Sequence, residues 1–430
     1  MKESRAAASA GFIGTIVQKV ITTQFPALFV LFSLLIGIAA VLITPREEDP
    51  QIIVPLADVF VEFPGASAEE VEKLVATPLE RLLWQIDGVE YVYSMSRRDM
   101  AVVTVRFFVG QDLIESLVRL HNKISMNIDE APPGVKGWVI KPVEIDDVPI
   151  VNLTLYSSRY DDHELRRIGG EIMARLESIE DISRTAVVGG RKREIRVELD
   201  RERMTGFSVS PLEVLKALQG TDVSVTAGVF SRENRELTVV SDAFLTSRRE
   251  IEQVVVGVHG GRPVHVADIA TVIDGPEEVS VYSRISFSHQ HLLSRGLEAE
   301  RAEFPAVTLA LAKKKGTNAV RVSENILKRV EELRRDIIPD GVHVEVTRNT
   351  GETARQKVDE LLNSLLFAIV TVVGLIVFTM GWREGLVVGV TVPLTFAMAL
   401  FVNALAGYTI NRVTLFALIL SLGLVVDDPI

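Results

Sequence analysis

Three stretches of this chain lack Asp, Glu, Lys and Arg over lengths that few water-soluble folds tolerate. They lie between Lys19 and Arg46, between Glu360 and Arg383, and between Glu384 and Arg412, and they hold 26, 22 and 27 residues. A helix crossing a hydrocarbon core needs roughly 20 apolar residues. Inside that core the backbone has to satisfy its own hydrogen bonds, which restricts it to helices and closed barrels. A fourth gap, between Arg412 and Asp427, holds 14 residues, and the sequence ends at Ile430. That helix has no room to finish, so the chain is expected to be part of a longer polypeptide. The runs also explain a mean hydropathy of +0.26 in a chain that is 24% charged.

Charge assigns the sides. Lys2, Arg5 and Lys19 make the first segment basic, and basic flanks stay cytoplasmic. Residues 1–20 are therefore read as a cytoplasmic N-terminal segment and 21–44 as a first transmembrane helix. Pro45-Arg46-Glu47-Glu48-Asp49 has none of the small residues of a cleavage site, so the helix reads as an uncleaved anchor. Glu47-Glu48-Asp49 is read as its solvated exit. Residues 361–382 return inward, 385–405 go out again, and 411–430 re-enter as a truncated fourth helix. Residues 45–360 lie outside and carry a net charge of −12 out of −11 for the whole chain. Such acidity argues against nucleic-acid binding. The chain has 0 Cys, which leaves no disulfide framework. It has no phosphate-cradling glycine loop and no nucleophile triad, so no catalytic residue is assigned. An ATP-driven pump and a hydrolase are both disfavoured.

The outer block repeats itself. Ala57–Phe63 alternates like a strand, Pro64-Gly65 breaks it, and Ser67 with Glu70 signals a capped helix. Two strands follow around the polar turn Ser96-Arg97-Arg98-Asp99. Then come an amphipathic helix over 112–127 and an extended segment, Trp138–Val143. The order is β-α-β-β-α-β, a split βαβ unit. It begins again 94 residues after Asp58, at Asn152, and its second strand recurs 93 residues after Val89, at Ile182. The remaining half appears only at Ala306–Ala312, followed by a helix opened by Gly316-Thr317-Asn318 and a strand at His343–Thr347. An insertion of domain size separates the halves. It has its own capping box at Ser210–Glu213 and short strands near Glu194–Glu198 and Leu237–Val240.

Asp427 and Asp428 follow the apolar run 413–426. Counted from Arg412, Asp427 lies about 22 Å along a helix at 1.5 Å per residue, inside a core of about 30 Å. A carboxylate there costs roughly 2.5–3.5 kcal/mol. Desolvation and mutual repulsion both oppose double ionisation. Such a pair suits loading and releasing a proton, as a proton-driven transporter requires. The bland alternative is the cytoplasmic end of a short helix. The functional reading needs a cationic partner. The other runs contain no Lys, so that partner has to come from another segment.

At this point the residues resemble a family. Thr409-Ile410-Asn411-Arg412-Val413-Thr414-Leu415-Phe416, with Leu422-Gly423-Leu424-Val425-Val426-Asp427-Asp428, resembles the fourth membrane helix of the resistance-nodulation-division (RND) efflux permeases, in the branch exporting drugs and other organic compounds. The resemblance covers essentially all 430 residues. It implies an α+β membrane protein: transmembrane helices plus a periplasmic porter domain of two βαββαβ (ferredoxin-like) repeats. The first porter subdomain spans 45–143 and the second 144–189 with 278–347, split by a docking insertion at 190–277. It also implies proton antiport in the bacterial inner membrane, no cofactor beyond the proton gradient, a homotrimer, a periplasmic adaptor protein and an outer-membrane channel. Asp427 and Asp428 are the implied proton relay, with Thr414 and Pro429 supporting the relay helix. Drug pumps of the family often line their distal pocket with Phe, whereas the nearest positions here are Pro149 and Val188. The arm of the insertion, around Gly228–Glu236, looks short, and Ser288–Glu303 is an extra polar loop.

His289-Gln290-His291 reads as a solvated loop, so no metal site is assigned. Gly385-x-x-x-Gly389 is a helix-packing signal of low specificity. Other functions stay open: a membrane-anchored scaffold or sensor with vestigial aspartates, a non-functional truncated transporter, or a heavy-metal exporter. The last would require the chain's 8 Met to converge on a path.

Overall fold

The computed structural model describes residues 25–48, 50, 54–222, 225–232, 235–241, 244–288 and 303–427. The loop with His289 and His291 lies outside the described residues, as do Asp428 and Pro429.

After the first apolar helix, α1 (Phe25–Ile43), the acidic block opens with β1 (Leu56–Glu62). Ser67 and Glu70 form a reciprocal capping box: the Ser67 amide donates to Glu70 Oε2 at 2.8 Å, and the Glu70 amide donates to Ser67 Oγ at 3.3 Å. The helix so started runs through α2 (Ala68–Val71), one π-helical turn (Glu72–Ala76) and α3 (Thr77–Leu83). Then come β2 (Val89–Arg97), β3 (Met100–Phe107), α4 (Leu113–Met126) and β4 (Gly137–Pro142). The four strands form an antiparallel sheet in the order β2-β3-β1-β4. Alternation puts Ala57, Val59 and Val61 of β1 and Ala101, Val103, Val105 and Phe107 of β3 on one buried face. There they meet Val71, Val75, Leu83 and Leu120 from the helices.

A second sheet follows. Its strands are β5 (Val151–Tyr156), β6 (Ile182–Val188), β14 (Glu303–Lys313) and β15 (His343–Asn349), with the short β13 (Arg284–Ser286) extending it. β14 pairs with both β5 and β6, and β5 pairs with β15, giving the order β6-β14-β5-β15. Its helices are α5 (Asp162–Leu176) and α10 (Ala319–Asp336). They bury Leu165, Ile168, Ile172, Val322 and Ile326 against Leu153, Leu155, Leu309 and Leu311. Asn318 caps α10 through the Val320 and Arg321 amides, as Asp112 caps α4 through the Glu115 amide.

Between β6 and β14 lie β7 (Arg193–Leu199), α6 (Arg201–Phe207), α7 (Pro211–Thr221), β8 (Val225–Arg232), β9 (Arg235–Ser241), α8 (Arg248–Glu252), β10 (Val255–His259), β11 (Arg262–His265), α9 (Val266–Ile269) and β12 (Ala270–Pro276). β7 pairs with β12, so the insertion leaves and returns through one two-stranded stalk. It has a separate apolar core around Met204, Val214, Ile251, Val266 and Ile269. The β8–β9 hairpin reaches from Val225 to Ser241, longer than the arm read from 228–236, because the strands extend past the turn signals that mark its tip.

Arg191 at the foot of the stalk grips Asp162 with two nitrogens, Nε at 2.9 Å and a terminal amine at 2.6 Å. Those hydrogen bonds, first among the causes, hold the Asp162 carboxyl below the usual carboxylate range. A depressed carboxylate stabilises the fold above its unfolded pKa, near 4, and that contribution fades as pH falls through the folded value. Asp162→Asn is expected to cost about 1–2 kcal/mol at neutral pH and to blunt the loss of stability on acidification. Thermal unfolding followed against pH checks this. Identical acid sensitivity in the variant would contradict it.

Three more apolar helices close the chain: α11 (Thr350–Thr379), α12 (Trp382–Leu405) and α13 (Arg412–Asp427). α11 starts well before the charge-free run at 361–382. The Asn349 side chain caps it by accepting from the Glu352 amide at 3.0 Å, so its polar first turns are helical too. Among the described residues α11 and α12 are long and apolar enough to cross a membrane. α1 presents Leu28, Phe32, Leu42 and Ile43 outward, and α11 presents Phe367 and Phe378. A surface of that kind is unfavourable in water and suits hydrocarbon.

The helices approach closely at glycines. A Cβ on Gly385 would stand 2.1 Å from Val377 Cγ2, so the Gly385-x-x-x-Gly389 face packs on α11. A Cβ on Gly37 would stand 2.2 Å from Ala397 Cβ and 2.8 Å from its Cα. The obstacle includes backbone, so rotamer changes cannot relieve it. Gly37→Leu is expected to push α1 off α12 and to lower the melting temperature of the purified protein, at a cost of about 1–3 kcal/mol or more. An unchanged melting temperature would contradict this packing.

Candidate functional site: the α13 helix and its anchor

α13 runs to Asp427, the first of the two adjacent acids in the sequence. Its entry is built by Asn411, a buried residue at 2% exposure. The Asn411 side-chain oxygen accepts from the amides of Val413 and Thr414, both at 3.0 Å. The Thr414 hydroxyl accepts from the Asn411 amide at 3.0 Å, completing a reciprocal cap. The Asn411 side-chain nitrogen Nδ2 donates to the Thr409 carbonyl at 3.2 Å. Thr414 therefore belongs to the cap at the start of α13, roughly 20 Å from Asp427 at 1.5 Å per residue. Asp427 is the last residue of α13. Its side chain, with Asp428 and Pro429, lies outside the described residues.

The loop before α13 is tied to the exit of α1. Arg46 and Ile410 form a parallel bridge. The Ile410 amide donates to the Pro45 carbonyl at 2.9 Å, the Glu47 amide donates to the Ile410 carbonyl at 3.1 Å, and the Arg412 amide donates to the Glu48 carbonyl at 3.3 Å. The same exit segment meets the second sheet, where the Ala319 amide at the start of α10 donates to the Arg46 carbonyl at 3.2 Å.

At this crossing sits an ionic cluster. Lys313, the last residue of β14, is 5% exposed, as is Glu47. Lys313 Nζ lies 2.5 Å from Glu47 Oε1 and 3.3 Å from Asp146 Oδ1. Asp146 belongs to the strap that joins the first sheet to the second. A cleft of about 170 Å³ opens beside the cluster, lined by Glu47, Asp146, Pro149, Lys313 and Arg348 among others. Glu47 corrects the reading of 47–49 as a solvated exit. Burial among α1, β14 and the strap requires its carboxylate to be paired.

Pro149 and Val188, expected from the resemblance as substrate-path positions, are separate. Pro149 lines the cleft by Lys313. Val188 closes the edge strand β6, more than half exposed, opposite Thr308, while Lys313 stands opposite Ile182 at the other end of that strand. Among the described residues no group of three His, Cys, Asp or Glu is arranged to hold a metal ion. The Lys313 cluster escaped sequence reasoning because its members are 266 and 167 residues apart. Locally, Lys313-Lys314-Lys315 reads as an exposed charge run. The one usable signal is Lys313 at the end of a strand that is otherwise apolar over Leu309–Ala312.

Comparison with known proteins places this architecture. The multidrug resistance protein MdtC of Yersinia pseudotuberculosis serotype O:1b is 25% identical over 422 residues, which is 97% of this chain. MdtC of Yersinia pestis bv. Antiqua gives the same figures. The chain spans 39% of the length of these relatives. The model of the AcrB/AcrD/AcrF family matches residues 12–430. With nearly its whole length matched, the chain belongs to the AcrB/AcrD/AcrF family of RND permeases, inner-membrane transporters rather than enzymes.

Proposed function

We propose that this chain is the N-terminal part of a proton-driven efflux permease that exports drugs or other organic compounds. The observation that carries the reading is an apolar helix, capped and anchored at its start, that ends on Asp427, with Asp428 next in the sequence. An ionisable pair at membrane depth is a functional feature by default. Proton antiport through that pair, paired with a cation from a segment beyond these residues, is the mechanism. The motive force is the proton gradient, with no bound cofactor.

Two sheets of the same strand order, β2-β3-β1-β4 and β6-β14-β5-β15, support two ferredoxin-like porter repeats. The stalked insertion between β6 and β14 is the docking domain on this reading. These domains face the periplasm, and the complete permease is a homotrimer working with a periplasmic adaptor and an outer-membrane channel. Cargo passes the second sheet near Val188 and Pro149.

The test uses the complete permease with its adaptor and channel in a bacterium lacking its own efflux pumps. The expected result is restored resistance to amphiphilic dyes, collapsed by a protonophore. Resistance that survives the protonophore would overturn proton antiport, and no resistance to any organic compound would overturn the substrate class.

A further inference from the structure

We propose that the buried Lys313–Glu47–Asp146 cluster is a joint that passes the movement of α13 to the second sheet, with Lys313 and Glu47 as positioning residues. The inference rests on the reading of Asp427 and Asp428 as the proton pair, and adds the route by which their charge state reaches the outer domain.

The route is continuous. α13 begins at a buried cap, and Ile410 just before it together with Arg412, its first residue, hydrogen-bond the exit of α1 at Pro45, Glu47 and Glu48. These are backbone bonds, so an axial shift of α13 has to carry residues 45–48 with it. Glu47 then moves against Lys313. Lys313 terminates β14, which pairs with both β5 and β6 in the second sheet. Asp146 extends the contact to the strap from the first sheet, whose Ile150 is hydrogen-bonded to the Leu311 carbonyl at 2.8 Å. The Ile150 carbonyl accepts from the Thr350 amide at 2.8 Å, at the first residue of α11. One ammonium thus joins segments leading to α1, α11, α13 and both sheets.

Energetics favour a positioning role over mere stability. A buried ion pair loses about as much in desolvation as it gains in attraction, and apolar replacements of similar volume are often neutral or stabilising. What charge adds at such a place is geometry. A short ion pair in a low dielectric changes energy steeply with displacement, so a small shift of Glu47 is felt at Lys313. An apolar contact would slide.

The experiment measures backbone hydrogen exchange of the complete permease in lipid nanodiscs. D427N/D428N fixes the pair neutral. In the parent background this change is expected to alter exchange several-fold at 146–150 and 313–322. In the K313M/E47L background, with assembly close to the parent, the same change is expected to leave those segments unaffected. K313R, which keeps the cation, should retain the response. An equal response in K313M/E47L would overturn the joint. No response in the parent would overturn it as well. Failure of the proton reading is distinguished by transport: D427N/D428N would then still export dye. Should K313M/E47L not assemble, K313Q, with a neutral donor, is read in the same way.

Discussion

Asp427→Asn in the complete permease is expected to abolish export, lowering the dye efflux rate at least ~100-fold while expression and assembly stay unchanged. The size follows from mechanism. A neutral amide at that position cannot take up and release a proton, so the cycle loses its drive, and binding elsewhere does not compensate. Asp428→Asn is expected to do the same, on the proposed reading that both carboxyls belong to one relay. The double change should be no worse than either alone, since a cycle already stopped cannot be slowed further. Efflux from dye-loaded cells measures all three. A single variant that keeps even a tenth of the parent rate would mean that its carboxyl is not part of the relay.

The second large effect concerns stability. Lys313→Ala leaves Glu47, 5% exposed, and Asp146 facing each other without the shared cation. Removing one member of a buried ion pair costs about 3–5 kcal/mol, because the remaining charge is buried and uncompensated. The purified permease should melt markedly lower, or fail to accumulate. K313M/E47L removes the more buried pair together, leaving the Asp146 carboxylate with its 16% exposed side chain, and should recover part of the loss. If Lys313→Ala melts like the parent, the cluster is hydrated and the burial account is wrong. The stability effect and the proposed positioning role separate, because the double variant restores part of the first and none of the second.

Much of the architecture was legible because its signals are local. Ser67 with Glu70 and Ser210 with Glu213 announce helix starts through contacts three residues apart. The alternation in 57–63 and 101–107 marks strands that bury one face. Asp112 and Asn318 were legible as helix openings because capping chemistry is set by residue type. The start of α11 was not legible, because absence of charge marks apolar surface and not helicity. The π turn at Glu72–Ala76 has no compositional mark.

The site divides in the same way. Asp427 and Asp428 stand out in the sequence because two acids directly after a 14-residue apolar run would be costly if that run lies in a membrane. The structure adds what anchors their helix: the Asn411 cap, the Ile410 bridge to Arg46 and the Lys313 cluster. Those partners meet through tertiary pairing across hundreds of residues. Glu47 shows the limit: beside Glu48 and Asp49 it reads as solvent-facing, and only the approach of β14 buries it.

On the proposed reading, a proton gradient acting through Asp427 and Asp428 drives export. It is tested most directly by reconstituting the complete permease in proteoliposomes, imposing a pH gradient and following internal pH together with movement of the dye ethidium. The account predicts ethidium movement opposite to proton movement in the parent, and neither in D427N/D428N. Ethidium transport that proceeds without proton flux, or persists in D427N/D428N, would contradict it.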